Sequence, residues 1–327
     1  MLDDEAIVPT PKCRLCLIND ADQTGSHITS AFLVASQIGK RGEEHSHVIT
    51  TNPKQDYSEN TGDREIKEDY IFCRDCEKRI SFIENIYSSE ITNKIEEDRF
   101  AENFPMTQIE NNKYISCIRI NPIAFHLMIY SYIWRASIST NRIYQNLKLS
   151  ESNEEDLRFT LDLFLPNTID HKIIQTVENW KKMVENCQDL FNYFPYYLLK
   201  AEKLEDKTRN YEFCDNISFD PYQIILNEYI ILPFFDHMTY QDDFLQVKKF
   251  VDIPALNNNF ESPKILIISN EAYLAVINMI QSLAAKQRIN EIEEECIIEL
   301  IDRGETVIDS DTLKRMVQEK VNKITLP

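Results

Sequence analysis

Two pairs of cysteines with CxxC spacing are the residues of this sequence best suited to chemistry. Cys13 and Cys16 form the first pair, in "CRLC", and Cys73 and Cys76 form the second, in "CRDC". A CxxC turn lets two sulfurs face one ion, and four thiolates complete the tetrahedral shell of a structural Zn²⁺. We therefore predict one structural zinc held by these four cysteines. The alternatives are four free thiols or a redox-active CxxC pair.

The segment between the pairs carries a histidine motif. The arrangement "CRLC … GSHITSAFL … YIFCRDCEKRI" resembles the zinc-stapled branch of the HNH endonuclease family, which uses a ββα-metal active site. In that branch, a first CxxC precedes a strand bearing Asp-His-Ile, and a second CxxC opens the helix that supplies a further metal ligand. The resemblance covers about residues 13–87.

The resemblance implies roles for three residues. Ser26, His27 and Ile28 take the place of Asp-His-Ile, so that His27 would be the general base that activates water. Glu77 follows Cys76 at the position of the helix histidine, where its carboxylate would bind a catalytic Mg²⁺ or Mn²⁺. The alternative for His27 is a polar residue that ends a strand, with no catalytic role.

The sequence departs from the family pattern at two of these positions. Ser26 replaces an aspartate and is a poor metal ligand, and Glu77 replaces a histidine, so the catalytic metal site is altered or lost. A further ligand could come from one of several carboxylates nearby in the sequence: Asp20, Asp22, Glu43, Glu44, Asp69 and Asp75. His45 and His47 could both face a metal ion. We expect a solvated loop there instead, because the sequence offers no evident third ligand for such a site.

Two functions of different classes follow. The resemblance implies a metal-dependent HNH-like endonuclease, active or diverged, with DNA or RNA as substrate. The segments "SFIENIY" (81–87) and "WRASIS" (134–139) also resemble bacterial HNH-like proteins of phage defence, which implies an antiviral effector. The alternative is a catalytically inactive, zinc-stapled interaction module that docks on a partner protein.

Charge and composition limit which of these functions the chain could perform. The net charge of −19 counts against autonomous binding to nucleic acid, which usually needs a positive face. No basic recognition helix supports a transcription regulator. No apolar run approaches the roughly 20 residues of a membrane-spanning helix, and the acidic N-terminus lacks the layout of a signal peptide. We expect a cytoplasmic protein with no membrane partner.

The elements that must position these residues divide near residue 100. Four of the five glycines fall between residues 25 and 62, which predicts a turn-rich module over residues 1–100. Residues 101–327 show mostly helical periodicity, with a strand pair or hairpin at 221–236 and a buried strand at 264–269. Two helices follow, one in "NEAYLAVINMIQSLAAKQR" and one in "IEEECIIELIDRG", which ends at Gly304. The predicted fold class is α+β: a small zinc-stapled, ββα-metal or treble-clef-like module, followed by a larger, mainly helical domain with a small sheet. Within the apolar helix at 121–139, we expect Arg135 to pair with a buried carboxylate and His126 to be a core histidine.

Overall fold

The fold is mixed α/β, as the computed structural model shows for most of the chain. The residues that it describes are 10–30, 47–48, 67–92, 94–95, 97–109, 112–141, 144, 147–167, 169, 173–192, 194–202, 211–215, 223–226, 228–235, 257, 261–305 and 308–325. The α-helices are α1 (Arg74–Tyr87), α2 (Pro122–Ile138), α3 (Glu151–Phe164), α4 (Ile173–Asn186), α5 (Asn270–Asp302) and α6 (Ser310–Thr325). The strands are β1 (Ser26–His27), β2 (His47–Val48), β3 (Lys67–Glu68), β4 (Met106–Ile109), β5 (Asn112–Ser116), β6 (Tyr196–Ala201), β7 (Tyr211–Asp215), β8 (Gln223–Leu226), β9 (Tyr229–Pro233) and β10 (Lys264–Ile268).

A short strand pair precedes α1 near the N-terminus. β1 pairs antiparallel with β3, so that Ser26 lies opposite Glu68 and His27 opposite Lys67. Five residues after β3 ends, Cys73 becomes the N-cap of α1. The order of these elements is strand, strand, helix, which is the order that the resemblance implied; a treble-clef module as such stays a prediction.

Helix α2 is the central element of the core. Asn121 caps it by accepting a hydrogen bond from the backbone N–H of Ala124, and Pro122 occupies the first turn, where its missing N–H costs nothing. Residues 123–137 are all buried. A helix that is apolar on all sides is buried on all sides, so the buried helix predicted for 121–139 is confirmed.

The second structural unit is an eight-stranded sheet within the described residues, in the order β2-β7-β8-β9-β6-β10-β5-β4. Neighbouring strands are antiparallel except for the pairs β10–β6 and β2–β7. The predicted hairpin and the predicted strand at 264–269 are both present. The sheet is larger than the small one predicted. One of the additional strands, β6, is buried on both faces and lacks the alternating pattern that reveals a strand.

One hydrophobic cluster extends across residue 100. It includes Cys13, Phe72 and Ile83 on one side of this position and Trp134 and Ile265 on the other. Phe72 contacts Trp134 with ring centroids 5.9 Å apart, and Phe82 contacts Trp180 at 5.7 Å. The division into 1–100 and 101–327 stays a prediction.

Within the described ranges, we find no helical segment whose length and hydropathy would suit a bilayer crossing. The cytoplasmic location stays a prediction.

Candidate functional site

Four cysteine sulfurs converge at the start of α1. The Sγ atoms of Cys13, Cys16, Cys73 and Cys76 all lie within 4.8 Å of one another. Those of Cys16 and Cys73 are 4.0 Å apart. Four sulfurs bound to one Zn²⁺ lie about 3.8 Å from each other, because each Zn–S bond is about 2.3 Å long and the shell is tetrahedral. The site is therefore compatible with a structural zinc at the four predicted ligands.

The first pair is held in a tight turn. The N–H of Leu17 donates to the carbonyl of Cys13 at 2.9 Å, and the N–H of Cys13 donates to the carbonyl of Asn19 at 2.8 Å. Leu17 closes this turn with a φ of 59°, a left-handed conformation that usually selects glycine. Arg14 N–H donates to the carbonyl of Ile71 at 2.9 Å, which fastens the turn to the segment carrying the second pair.

The electrostatics of the thiols favour a cation at their centre. The hydrogen bond from Cys76 lowers the pKa of the Cys13 thiol to about 4, and burial raises the pKa of Cys73. The same hydrogen bond to Cys13 raises the pKa of Cys76. One thiolate therefore forms readily, while Cys73 and Cys76 resist ionising beside it. Zn²⁺ supplies the positive charge that lets all four sulfurs ionise together.

Two side chains donate to these sulfurs. Nδ2 of Asn19 lies 3.6 Å from Sγ of Cys73, and Nη1 of Arg79 lies 3.8 Å from Sγ of Cys76. Arg79 also pairs with Asp162 of α3 at 2.6 Å. The cluster is thus tied to α3, and Arg79 balances part of the negative charge of a tetrathiolate centre.

Strand β1 positions the histidine motif. Gly25 precedes it with a φ of 68°, and its N–H donates to Oδ1 of Asp69 at 2.6 Å. Successive residues of a strand face opposite sides, so Ser26 and His27 point in different directions. Ser26 is buried at 1% exposure, whereas His27 is half-buried.

Ser26 and Glu77 meet where β1 lies against α1. Oγ of Ser26 donates to Oε2 of Glu77 at 3.0 Å. Burial raises the pKa of the Glu77 carboxyl, while the hydrogen bond from Ser26 and the charge of Arg135 oppose that rise. The two positions that the family resemblance assigns to metal ligands are therefore adjacent in space.

A second carboxylate of α1 and an arginine of α2 lie beside this contact. Glu84 lies two helical turns after Glu77; its Oε1 accepts from Oγ of Ser30 at 2.7 Å and pairs with Nη1 of Arg135 at 2.9 Å. Arg135 is 2% exposed and also donates from Nη1 to the backbone carbonyl of His27 at 2.7 Å. The pairing predicted for Arg135 is confirmed, with Glu84 as its partner.

Within the described part of the chain, the residues around Glu77 do not form a complete catalytic metal shell. Among the residues that the structure describes, the four cysteines are the sole group of three or more Cys, His, Asp and Glu side chains close enough to share an ion. The nearby carboxylates have other contacts. Asp20 pairs with Lys12, Asp22 accepts from the N–H of Arg74, Asp69 accepts from Gly25, and Asp75 lies beside Lys78. Glu43, Glu44 and His45 lie outside the described residues, and His47 is described only in its backbone.

A groove of about 1,070 Å³ lies along α1, and Glu77 is among its lining residues. Arg74 and Lys78, which also line it, provide positive charge, and Ser81 and Asn85 continue a polar stripe along the helix. The opposite wall includes Ile169 and Val177. A phosphate group could contact both cations while it lies beside Glu77.

Sequence reasoning missed two contributors to the site, Ser30 and Glu84. The spacing of Glu77 and Glu84, seven residues apart, would have placed both carboxylates on one face of a helix. Arg79 was readable from the sequence, because it flanks the second CxxC pair, where its charge fits a doubly negative zinc–tetrathiolate centre; it falls on the buried face of that helix. Ser30 offered no comparable signal.

Comparisons with protein-family models, with curated protein sequences and with solved structures found no match to this chain.

Proposed function

We propose that the strand–strand–helix unit is a diverged HNH-like phosphodiester hydrolase whose framework is held by a structural zinc. The observation that carries this proposal is the 3.0 Å hydrogen bond between Ser26 and Glu77. These residues are 51 positions apart, and they occupy the two sites that bind the catalytic ion in the family that the sequence resembles. The adjacent His27 supplies the base. The antiviral role rests on the two sequence resemblances alone.

The chemistry assigned to the chain's own residues is limited. His27 accepts a proton from the attacking water, a role suited to an imidazole near neutral pH. Arg74 and Lys78 line the groove beside Glu77 and are the proposed phosphate contacts, whereas His27 lies outside that lining and has its backbone carbonyl fixed by Arg135. Glu77 and Ser26 would hold Mg²⁺ or Mn²⁺, which when bound neutralises charge on the phosphate.

Specific observations favour the second candidate, a non-catalytic module that docks on a protein partner. Oε2 of Glu77 already accepts from Ser26, and Glu84 is engaged by Arg135 and Ser30. The net charge of −19 disfavours a nucleic-acid substrate unless a partner supplies positive charge. In this alternative, the same contacts are structural and the zinc site stabilises a binding surface.

A cleavage assay separates the two candidates. The full chain, loaded with zinc, is incubated with single- and double-stranded DNA and RNA in Mn²⁺ or Mg²⁺. The hydrolase predicts cleavage that His27→Ala abolishes, with zinc content and melting temperature unchanged. The variant, purified identically, also controls for a contaminating nuclease. Cleavage that persists in His27→Ala contradicts the mechanism, and a wild-type chain that cuts none of these substrates supports the docking module.

A further inference from the structure

The two C-terminal helices form a hairpin with one covered and one uncovered face. Helix α5 has 33 residues and is therefore about 50 Å long. Near its start, Tyr273 and Ile277 pack in the cluster on one face of the sheet. Towards its end, α5 contacts α6, and Ile292, Cys296 and Leu300 are buried. These three residues recur every fourth position, so they form one stripe that faces α6.

The opposite side of α5 carries a second apolar stripe. Ile298 is 58% exposed and Ile301 is 56% exposed. At 100° per residue, both lie about half a turn away from Cys296, and Glu294 falls on the same line. Apolar side chains at i, i+3 spacing lie side by side on one face of a helix, where they can pack against the apolar face of a second helix.

The charges beside this stripe determine which kind of partner could bind to it. Glu294 lies on the stripe and is exposed, Asp302 flanks it at the end of the helix, and the exposed Glu305 follows the helix end. A second copy of the same face would bring these carboxylates together and be repelled, and an anionic membrane would be repelled in the same way. A helix bearing lysine or arginine beside its apolar residues complements the face.

Helix α6 shows the same mode of recognition within the chain. Its sequence has four basic and two acidic residues, and Leu313, Met316 and Val317 are half-buried. Its Lys320 reaches two glutamates of α5, with Nζ 3.4 Å from Glu295 and 3.5 Å from Glu299. Helix α5 therefore already binds one basic amphipathic helix on one side.

We propose that the face of α5 around Ile298 and Ile301 binds a basic amphipathic helix of a partner protein. The apolar residues of that helix cover the two isoleucines, and its lysines or arginines pair with Glu294, Asp302 and Glu305. This interaction surface is separate from the groove at Glu77, and it does not depend on the hydrolase activity.

The probe is a synthetic amphipathic peptide of leucine and lysine, with the leucines at i, i+3, i+4 spacing. Its binding to the full chain is measured by calorimetry and compared with a leucine–glutamate peptide of the same pattern. The test variant is Ile298→Gln/Ile301→Gln, which removes the apolar stripe and keeps the charge. The matched control is Phe159→Gln, because Phe159 is also 58% exposed and lies on the acidic helix α3.

The proposal predicts that the lysine peptide binds the wild-type chain and the control equally, and binds the double variant at least about tenfold more weakly. The glutamate peptide should not bind. Equal binding to the double variant would mean that the peptide recognises net charge alone and would overturn the proposal. A dimer of the wild-type chain that the double variant loses would assign the face to a second copy and would overturn it too. Unchanged helical circular dichroism shows that the variants fold.

Discussion

Oγ of Ser26 donates a hydrogen bond to Oε2 of Glu77 across the junction of β1 and α1. Cys76, next to Glu77, belongs to the four-cysteine cluster, and the carbonyl of His27, next to Ser26, is held by Arg135. The contact therefore lies between the four-cysteine cluster on one side and the buried helix α2 on the other. The geometry of the contact therefore depends on both the cysteine cluster and α2.

We expect one zinc ion per chain, lost in Cys73→Ser because three ligands leave the tetrahedral shell open. Elemental analysis of the purified protein measures this. Chelation of the zinc should also shift the fluorescence of Trp134, since Phe72 lies beside Cys73 and packs on that indole. Cys187→Ser is the matched control, because Cys187 lies outside the cluster. A Cys73→Ser chain that retains full stability without zinc would contradict a structural role for the metal.

We expect Leu17→Gly to lower the stability of the protein less than Ile18→Gly does. The left-handed backbone of Leu17 costs an L-residue roughly 1–2 kcal/mol, which Leu17→Gly would relieve. Ile18 is 74% exposed and does not have a positive φ, so Ile18→Gly gains nothing of this kind and should cost about 0.5–1 kcal/mol. Urea unfolding of the zinc-loaded protein should place Leu17→Gly at least about 1 kcal/mol above Ile18→Gly. Equal losses in the two variants would show that the turn is not strained.

Arg79→Lys should destabilise the chain by about 2–3 kcal/mol, because lysine cannot reproduce the planar fork that joins Asp162, the carbonyl of Pro166 and Sγ of Cys76. The control Arg303→Lys alters an exposed pair with Glu299 and should change stability by less than about 0.5 kcal/mol. Thermal unfolding compares the two. Similar small effects would mean that Arg79 does not tie the metal centre to α3.

Arg135 and Glu84 should behave as a coupled pair. Arg135→Met leaves Glu84 as a buried charge without its ion-pair partner and should cost about 3–5 kcal/mol. Adding Glu84→Gln removes that charge, so the double variant should lose at least about 1 kcal/mol less than the sum of the single losses. Denaturant unfolding of all four proteins gives the coupling. Additive losses would show that the carbonyl of His27, rather than Glu84, is the main partner of Arg135.

The metal ligands could be predicted from the sequence because CxxC spacing is a local signal that needs no tertiary contact. The end of α5 was also readable: Gly304, with a φ of 85°, follows the last helical turn, as predicted for the glycine after "IEEECIIELIDR". Two helices were predicted there in place of one. No glycine or proline separates "NEAYLAVINMIQSLAAKQR" from "IEEECIIELIDR", so the helix continues.

Other parts of the site depend on contacts that the sequence does not encode locally. Arg135 was expected to find a carboxylate, but Glu84 lies 51 positions away, and only the packing of α1 on α2 selects it. The sheet was underestimated for a related reason: the buried strand β6 has no polar face that would mark it in the sequence.

The most direct test of the central claim, that β1 and α1 retain ββα-metal geometry, is the nuclease activity of Ser26→Asp. The substitution places a second carboxylate beside Glu77, at the position where the resembled family has its aspartate. We predict faster Mn²⁺-dependent cleavage than in the wild-type chain, a larger rise of melting temperature with Mn²⁺, and loss of cleavage when His27→Ala is added. A folded, zinc-loaded Ser26→Asp chain that neither binds Mn²⁺ more tightly nor cleaves nucleic acid faster would contradict the account.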